Sequence, residues 1–139
     1  AWLGYAKEVP ARNISILKEL RQQGYRLIML SNTNPYMMSW AMSSSFSQGL
    51  DNEAPEGMPA SHYFDAVYRS YEVGAMKPDI RFYQHVLQHE NIIPEESLFL
   101  DDGPRNIEAA SRLGIHTLQP ENGENWIERL MQELRKLNA

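Results

Sequence analysis

Two short apolar runs and one lysine loop constrain this chain most tightly, because each breaks off where a buried strand should end. Leu27 to Leu30 runs into Ser31, Asn32 and Thr33; Lys77 stands before Pro78; Leu98 to Leu100 runs into Asp101 and Asp102. An open parallel sheet delivers polar groups in this way to the crevice beyond the carboxyl ends of its strands. A hydroxyl, a lysine and a carboxylate pair gathered there read as a site for a phosphoryl group and a divalent cation.

The rest of the chain supplies the helices that such a sheet requires. Ile14, Leu17 and Leu20 recur at helical spacing over 11–23 and Gly24 supplies the stop, so a helix is expected there. A strand over 25–31 follows, then a helix opening at Pro35 that carries Met37, Met38, Trp40 and Met42. The stretch 43–61 is rich in Ser, Gly, Pro and acidic residues and reads as a long, mobile loop with the option of gating the site. Further strands are expected over 66–70, 97–101 and 115–118. Helices are expected over 79–90, 104–113 and 126–137, the last with Ile127, Leu130, Met131, Leu134 and Leu137 on one stripe. This alternation implies a layered α/β domain around a parallel sheet.

Composition narrows the partners. With 42% hydrophobic and 22% charged residues, the chain of 139 residues has the makeup and length of one globular domain with a real core. A net charge of −5 argues against a nucleic-acid surface, which needs a basic stripe to release counterions. Lys77 and Arg105, near the expected crevice, suit one small anion instead. There is no cysteine, which removes disulfides, zinc thiolates and thiol nucleophiles and fits a reducing cytoplasm. No apolar run approaches a membrane span, so no membrane partner is expected.

The order hydroxyl, lysine, carboxylate pair resembles motifs two to four of the haloacid dehalogenase-like hydrolase superfamily. The phrases LIMLSNTN, YEVGAMKPD and LFLDDGPRNIEAASRLGI are most similar to its sugar-phosphatase branch, which includes glucose-1-phosphate phosphatases. The resemblance implies a three-layer, Rossmann-like core and a Mg²⁺-dependent hydrolase of small phosphate esters. It implies that Ser31 binds a phosphoryl oxygen, helped by the backbone N–H groups of Asn32 and Thr33. By the same resemblance Lys77 pairs with the nucleophile and the phosphoryl group, Asp102 is the direct Mg²⁺ ligand and Asp101 its outer-shell partner. Asn106, one helical turn on, is placed to hold a metal-bound water.

Each motif also has a plainer structural use. Asp102-Gly103-Pro104 makes a good helix start, S-N-T-N-P a good capping sequence, and Lys77-Pro78 an ordinary turn. His85 and His89, spaced i, i+4, can share a metal, but they fall off the Ile80, Tyr83, Val86 and Leu87 stripe and read as a solvated face. The methionines around Trp40 read as packing or as an adaptable apolar wall.

One departure from the family is decisive for chemistry. Family members open on a strand ending in D-x-D-x-T, whose aspartates are nucleophile and general acid, and no aspartate precedes Asp51 here. Residues 1–10 are expected to end an inserted cap, with Trp2 and Tyr5 near substrate, and 11–139 to form the core. The central strand should then be missing, leaving a gap to be filled by an N-terminal segment of the same protein or by a neighbouring molecule. Two alternatives share the fold: a 2-haloacid dehalogenase, disfavoured because an uncompensated carboxylate pair repels an acid substrate, and a non-catalytic binding protein. A phosphoacceptor signalling domain is disfavoured by motif order.

Overall fold

The computed structural model describes residues 2–4, 11–121 and 126–138. Its centre is a parallel sheet of five strands in the order β3-β2-β1-β4-β5. The strands are β1 (Trp2–Gly4), β2 (Leu27–Ser31), β3 (Ala66–Arg69), β4 (Leu98–Leu100) and β5 (His116–Leu118). Helices α1 (Ala11–Gln22), α2 (Pro35–Ala41), α3 (Ser70–Val73), α4 (Ile80–Glu90), α5 (Pro104–Arg112) and α6 (Trp126–Leu137) connect and follow them.

Strand periodicity divides the core into two layers of packing. On β2, Leu27 and Met29 join Ile14, Leu17 and Leu20 of α1, Met38 of α2 and Leu130 and Leu134 of α6 in one apolar cluster. Ile28 and Leu30 turn the other way, to Phe82, Tyr83 and Val86 of α4 and Ala109 and Ala110 of α5. β4 splits likewise, with Leu98 and Leu100 on the first face and Phe99 on the second. Residues alternate because successive side chains on a strand point to opposite faces, and both faces are covered by helices. The result is the three-layer architecture expected, with all strands ending on the same side.

The centre of the sheet differs from expectation. Trp2–Gly4 lies between β2 and β4, pairing Trp2, Leu3 and Gly4 with Leu27, Ile28 and Met29 on one side and with Leu98, Phe99 and Leu100 on the other. In this structure Trp2–Gly4 fills the position expected to be vacant, and β2 and β4 both pair with it. The physical reason is that β2 and β4 each present a row of N–H and C=O groups inward, and leaving them unpaired costs about 1–3 kcal/mol per group. Residues 5–10 of the expected cap, Tyr5 included, lie outside the described residues.

The segment 43–61 is packed rather than mobile. Phe46, Ser47, Asp51 and Ala60 are buried, and short 3-10 turns stand at Ser44–Phe46 and Ala60–His62. The Tyr63 hydroxyl reaches both Asp51 Oδ2 at 2.7 Å and Ser47 Oγ at 2.8 Å, and Lys18 of α1 donates to Asp51 Oδ1 at 3.0 Å. Side chains from outside the segment therefore hold it against α1.

Candidate active site

Three loops leave the carboxyl ends of β2, β3 and β4, and hydrogen bonds join them into one network. β4 ends at Leu100, and the next residue, Asp101, is 4% exposed. Its Oδ2 accepts from Lys77 Nζ at 2.8 Å, while Oδ1 accepts from the Gly103 N–H at 2.7 Å and from Asn106 Nδ2 at 3.2 Å. Gly103 has to lack a side chain here, since a Cβ would lie 2.8 Å from Asn106 Nδ2 and 3.1 Å from Asp101 Oδ1. Pro104 then opens α5 at its first turn.

Lys77 is buried with its partner; both side chains are 2% exposed. Burial pushes the ammonium below the usual lysine range, opposed by the charges of Asp101 and Asp102. The ammonium lies 5.7 Å from the centroid of the Phe99 ring, a cation–π contact that softens desolvation. Phe99 in turn meets Tyr83 edge-on at 5.5 Å, and the Tyr83 hydroxyl donates to the Asn106 carbonyl at 2.9 Å. Burial pushes the Tyr83 phenol upward, so it remains a donor.

The loop after β2 is held from two sides. The Asn32 amide accepts from the Lys77 N–H at 2.8 Å and donates to the Lys77 carbonyl at 2.9 Å. Ser70 Oγ accepts from the Thr33 N–H at 3.0 Å and donates to the Thr33 carbonyl at 3.1 Å. Asn34 then caps α2 by accepting from the Met37 N–H. Ser31 is buried, and its hydroxyl has no partner among the described residues.

The expected site residues thus gather at one edge of the sheet, with roles redistributed. The Thr33 N–H, expected to face an anion, is already spent on Ser70. The Asn106 amide serves Asp101. Asp102 is exposed, and its carboxylate accepts no hydrogen bond among the described residues. It borders a recess of about 510 Å³ lined by Gln119, Pro120, Glu121 and Arg129. Arg105 is exposed on α5. His85 and His89 stack at 3.9 Å, with the His89 Nδ1 bonded to the His85 carbonyl at 2.8 Å, away from these loops. The methionine group divides: Met38 is core, whereas Met37 and Trp40 are exposed. The side chain of Trp2 lies outside the described residues.

Ser70 and Tyr83 were not singled out from sequence. Their contacts span 37 and 23 residues, and no local spacing encodes them; the S-Y pair opening α3 and an aromatic on the α4 stripe look like ordinary capping and packing residues. Arg69, in register with Ser31, carries a buried Nε without a partner, and its Nη1 pairs with Glu72 at 2.8 Å.

The donor set fits Mg²⁺. This cation takes one or two protein carboxylates and keeps several waters. Asp102 is exposed with a carboxylate not engaged by the described residues, while the Asp101 oxygens are engaged by Lys77, Gly103 and Asn106. Among the described residues no cluster of three or more His, Cys, Asp or Glu is present. No helix among them is long and apolar enough to cross a membrane.

Comparison with known proteins agrees with this geometry. The family model described as "haloacid dehalogenase-like hydrolase" matches residues 12–114. A D-ribitol-5-phosphate phosphatase of Bacteroides thetaiotaomicron is 42% identical over 130 residues, covering 94% of this chain and 59% of that protein. A predicted HAD-like family hydrolase from Porphyromonas gingivalis superposes with a TM-score of 0.81 at 41% identity, covering 93% of this chain and 59% of that one. A HAD family enzyme from Bacteroides thetaiotaomicron, solved in complex with magnesium and inorganic phosphate, gives 0.74 at 31% identity, covering 86% and 56%. The chain therefore spans less than two thirds of the length of these relatives. With the matched span and the fold in agreement, the chain belongs to the haloacid dehalogenase-like hydrolases.

Proposed function

We propose that this chain forms the metal- and phosphate-binding part of a Mg²⁺-dependent phosphomonoester hydrolase acting on small phosphorylated metabolites such as sugar or polyol phosphates. The observation that carries this reading is the buried Lys77–Asp101 pair at the strand ends, tied through Asn32 to the loop that follows Ser31, with the exposed Asp102 carboxylate next in the chain. The Ser31 hydroxyl, at the end of β2, has no partner among the described residues and can donate to a phosphoryl oxygen. The relative solved with magnesium and inorganic phosphate, and the phosphatase relative, support the same class.

In this reading Asp102 holds Mg²⁺ directly and Asp101 acts from the outer shell. Bound there, the cation neutralises phosphoryl oxygens. Ser31 and the Asn32 N–H orient the phosphoryl group, and Lys77 neutralises charge as it develops. The nucleophilic carboxylate attacks phosphorus while a second carboxyl protonates the departing alkoxide, and water then hydrolyses the aspartyl phosphate. Neither carboxylate is in residues 1–50. The D-x-D-x-T motif that supplies these two groups in the family is not found in this sequence, and this reading assigns neither group to a residue of the chain.

The test is phosphate release from D-ribitol 5-phosphate and sugar phosphates by a protein joining this chain to the aspartate-bearing segment. Turnover should need Mg²⁺, stop in EDTA, and fall by about 10²-fold or more in Asp102→Asn. EDTA-resistant turnover, or an unaffected Asp102→Asn variant, would contradict it.

A further inference from the structure

We propose that Asn32 is a positioning residue, whose side-chain amide brackets the main chain of Lys77 and thereby sets the Lys77 ammonium on Asp101. This deepens the proposed function, on which it rests for its consequence in phosphate binding. The geometry is a two-point clamp: Asn32 Oδ1 takes the Lys77 N–H at 2.8 Å and Nδ2 gives to the Lys77 carbonyl at 2.9 Å. An amide carries one donor and one acceptor side by side, and so matches the N–H and C=O of a single residue. A carboxylate has no donor for the carbonyl, and an aliphatic side chain offers neither bond.

The clamp matters because Lys77 lies in a loop, where no strand or helix fixes its backbone. α3 ends at Val73, α4 begins at Ile80, and a buried lysine must keep its ammonium on Asp101 to remain charged there. Asn32 itself is held, since Ser70 bonds both main-chain groups of the adjacent Thr33 and Ser31 pairs in register with Arg69. The β2 loop is the fixed part, and the Asn32 amide fastens the main chain of Lys77 to it. Freed from the clamp, the lysine loop has alternatives, and the long lysine side chain follows its backbone away from Asp101.

The decisive experiment measures acetylation of Lys77 by acetic anhydride, read by peptide mass spectrometry on the whole chain without ligand at one fixed pH. Lys136 serves as the exposed reference. Asn32→Ala should raise the Lys77 rate by about tenfold. The isosteric Asn32→Asp, which retains the acceptor but sets an oxygen against the Lys77 carbonyl, should do the same while guarding against collapse of the loop. Exchange of the Phe99 amide, in the centre of the sheet, should stay at the wild-type rate in both. An unchanged Lys77 rate in both variants would overturn the proposal, as would a rise matched by faster Phe99 exchange, which means general loosening.

A second reading takes the function into account. Orthophosphate is titrated in the presence of Mg²⁺ into wild type, Asn32→Ala, Lys77→Met and the double variant. If Asn32 acts through Lys77, its substitution weakens binding in the wild-type background and adds less than twofold in the Lys77→Met background. Equal losses in both backgrounds would make Asn32 a direct phosphate contact and overturn the proposal. If wild type takes up no orthophosphate, the proposed function fails, and the acetylation rates still decide the clamp.

Discussion

At the scale of single residues, the Lys77–Asp101 pair is where stability and chemistry meet. Removing one member of a buried pair strands the other charge, so Lys77→Met should lower unfolding free energy by about 3–5 kcal/mol in urea titration. Asp102, exposed beside it, should behave in the opposite way: Asp102→Asn should stay within about 0.5 kcal/mol of wild type yet lose Mg²⁺ affinity. Gly103→Ala should displace the Asn106 amide from Asp101, seen as a shift of the Asn106 side-chain resonances. The three motif residue types were legible in the sequence because each interrupts or follows an apolar run, and interruption of that kind has few structural uses. What the Asn32 amide and the Thr33 N–H bond to was not legible. Those partners lie 45 and 37 residues away, and only the juxtaposition of β2 with β3 and its following loop brings them into reach.

At the scale of elements, the helices and strands follow from periodicity, and the segment 43–61 is the instructive exception. Its Ser, Gly and Pro content is that of a loop, and it has almost no regular structure. It is nonetheless held by Phe46 in the core and by the Tyr63–Asp51–Lys18 contacts, which are specified by residues outside it. The Tyr63 hydroxyl, ahead of Lys18, holds the Asp51 carboxyl at about 2, below its usual value of 3.8. A depressed folded value means that the stabilisation is complete above about pH 4 and is lost as pH falls toward 2. The loss should be on the order of 1 kcal/mol, after discounting the solvent-screened Lys18 partner. Chemical denaturation across that window should show it in wild type and not in Asp51→Asn. Tyr63→Phe leaves the Asp51 carboxylate short of a donor, and should cost about 1–3 kcal/mol with faster proteolysis within 43–61.

At the scale of the whole molecule, a five-stranded parallel sheet ends its strands on one side, and Ser31, Lys77 and Asp101 are collected there. Both faces of the sheet are covered, so the crevice beyond the strand ends is where the fold leaves polar groups without internal work. The architecture was legible from alternating strand and helix patterns. The central strand was not, because Trp-Leu-Gly is too short to announce itself and its pairing is set wholly by the two strands it joins. The central claim is that Ser31, Lys77, Asp101 and Asp102 make one Mg²⁺-dependent phosphate site. The most direct measurement is calorimetric titration of orthophosphate into this chain, with Mg²⁺ and then with EDTA, in wild type and Asp102→Asn. The account predicts saturable binding in wild type with Mg²⁺ alone, absent in EDTA and absent in Asp102→Asn. Binding that ignores both the cation and the Asp102 carboxylate, or no binding under any condition, would contradict it.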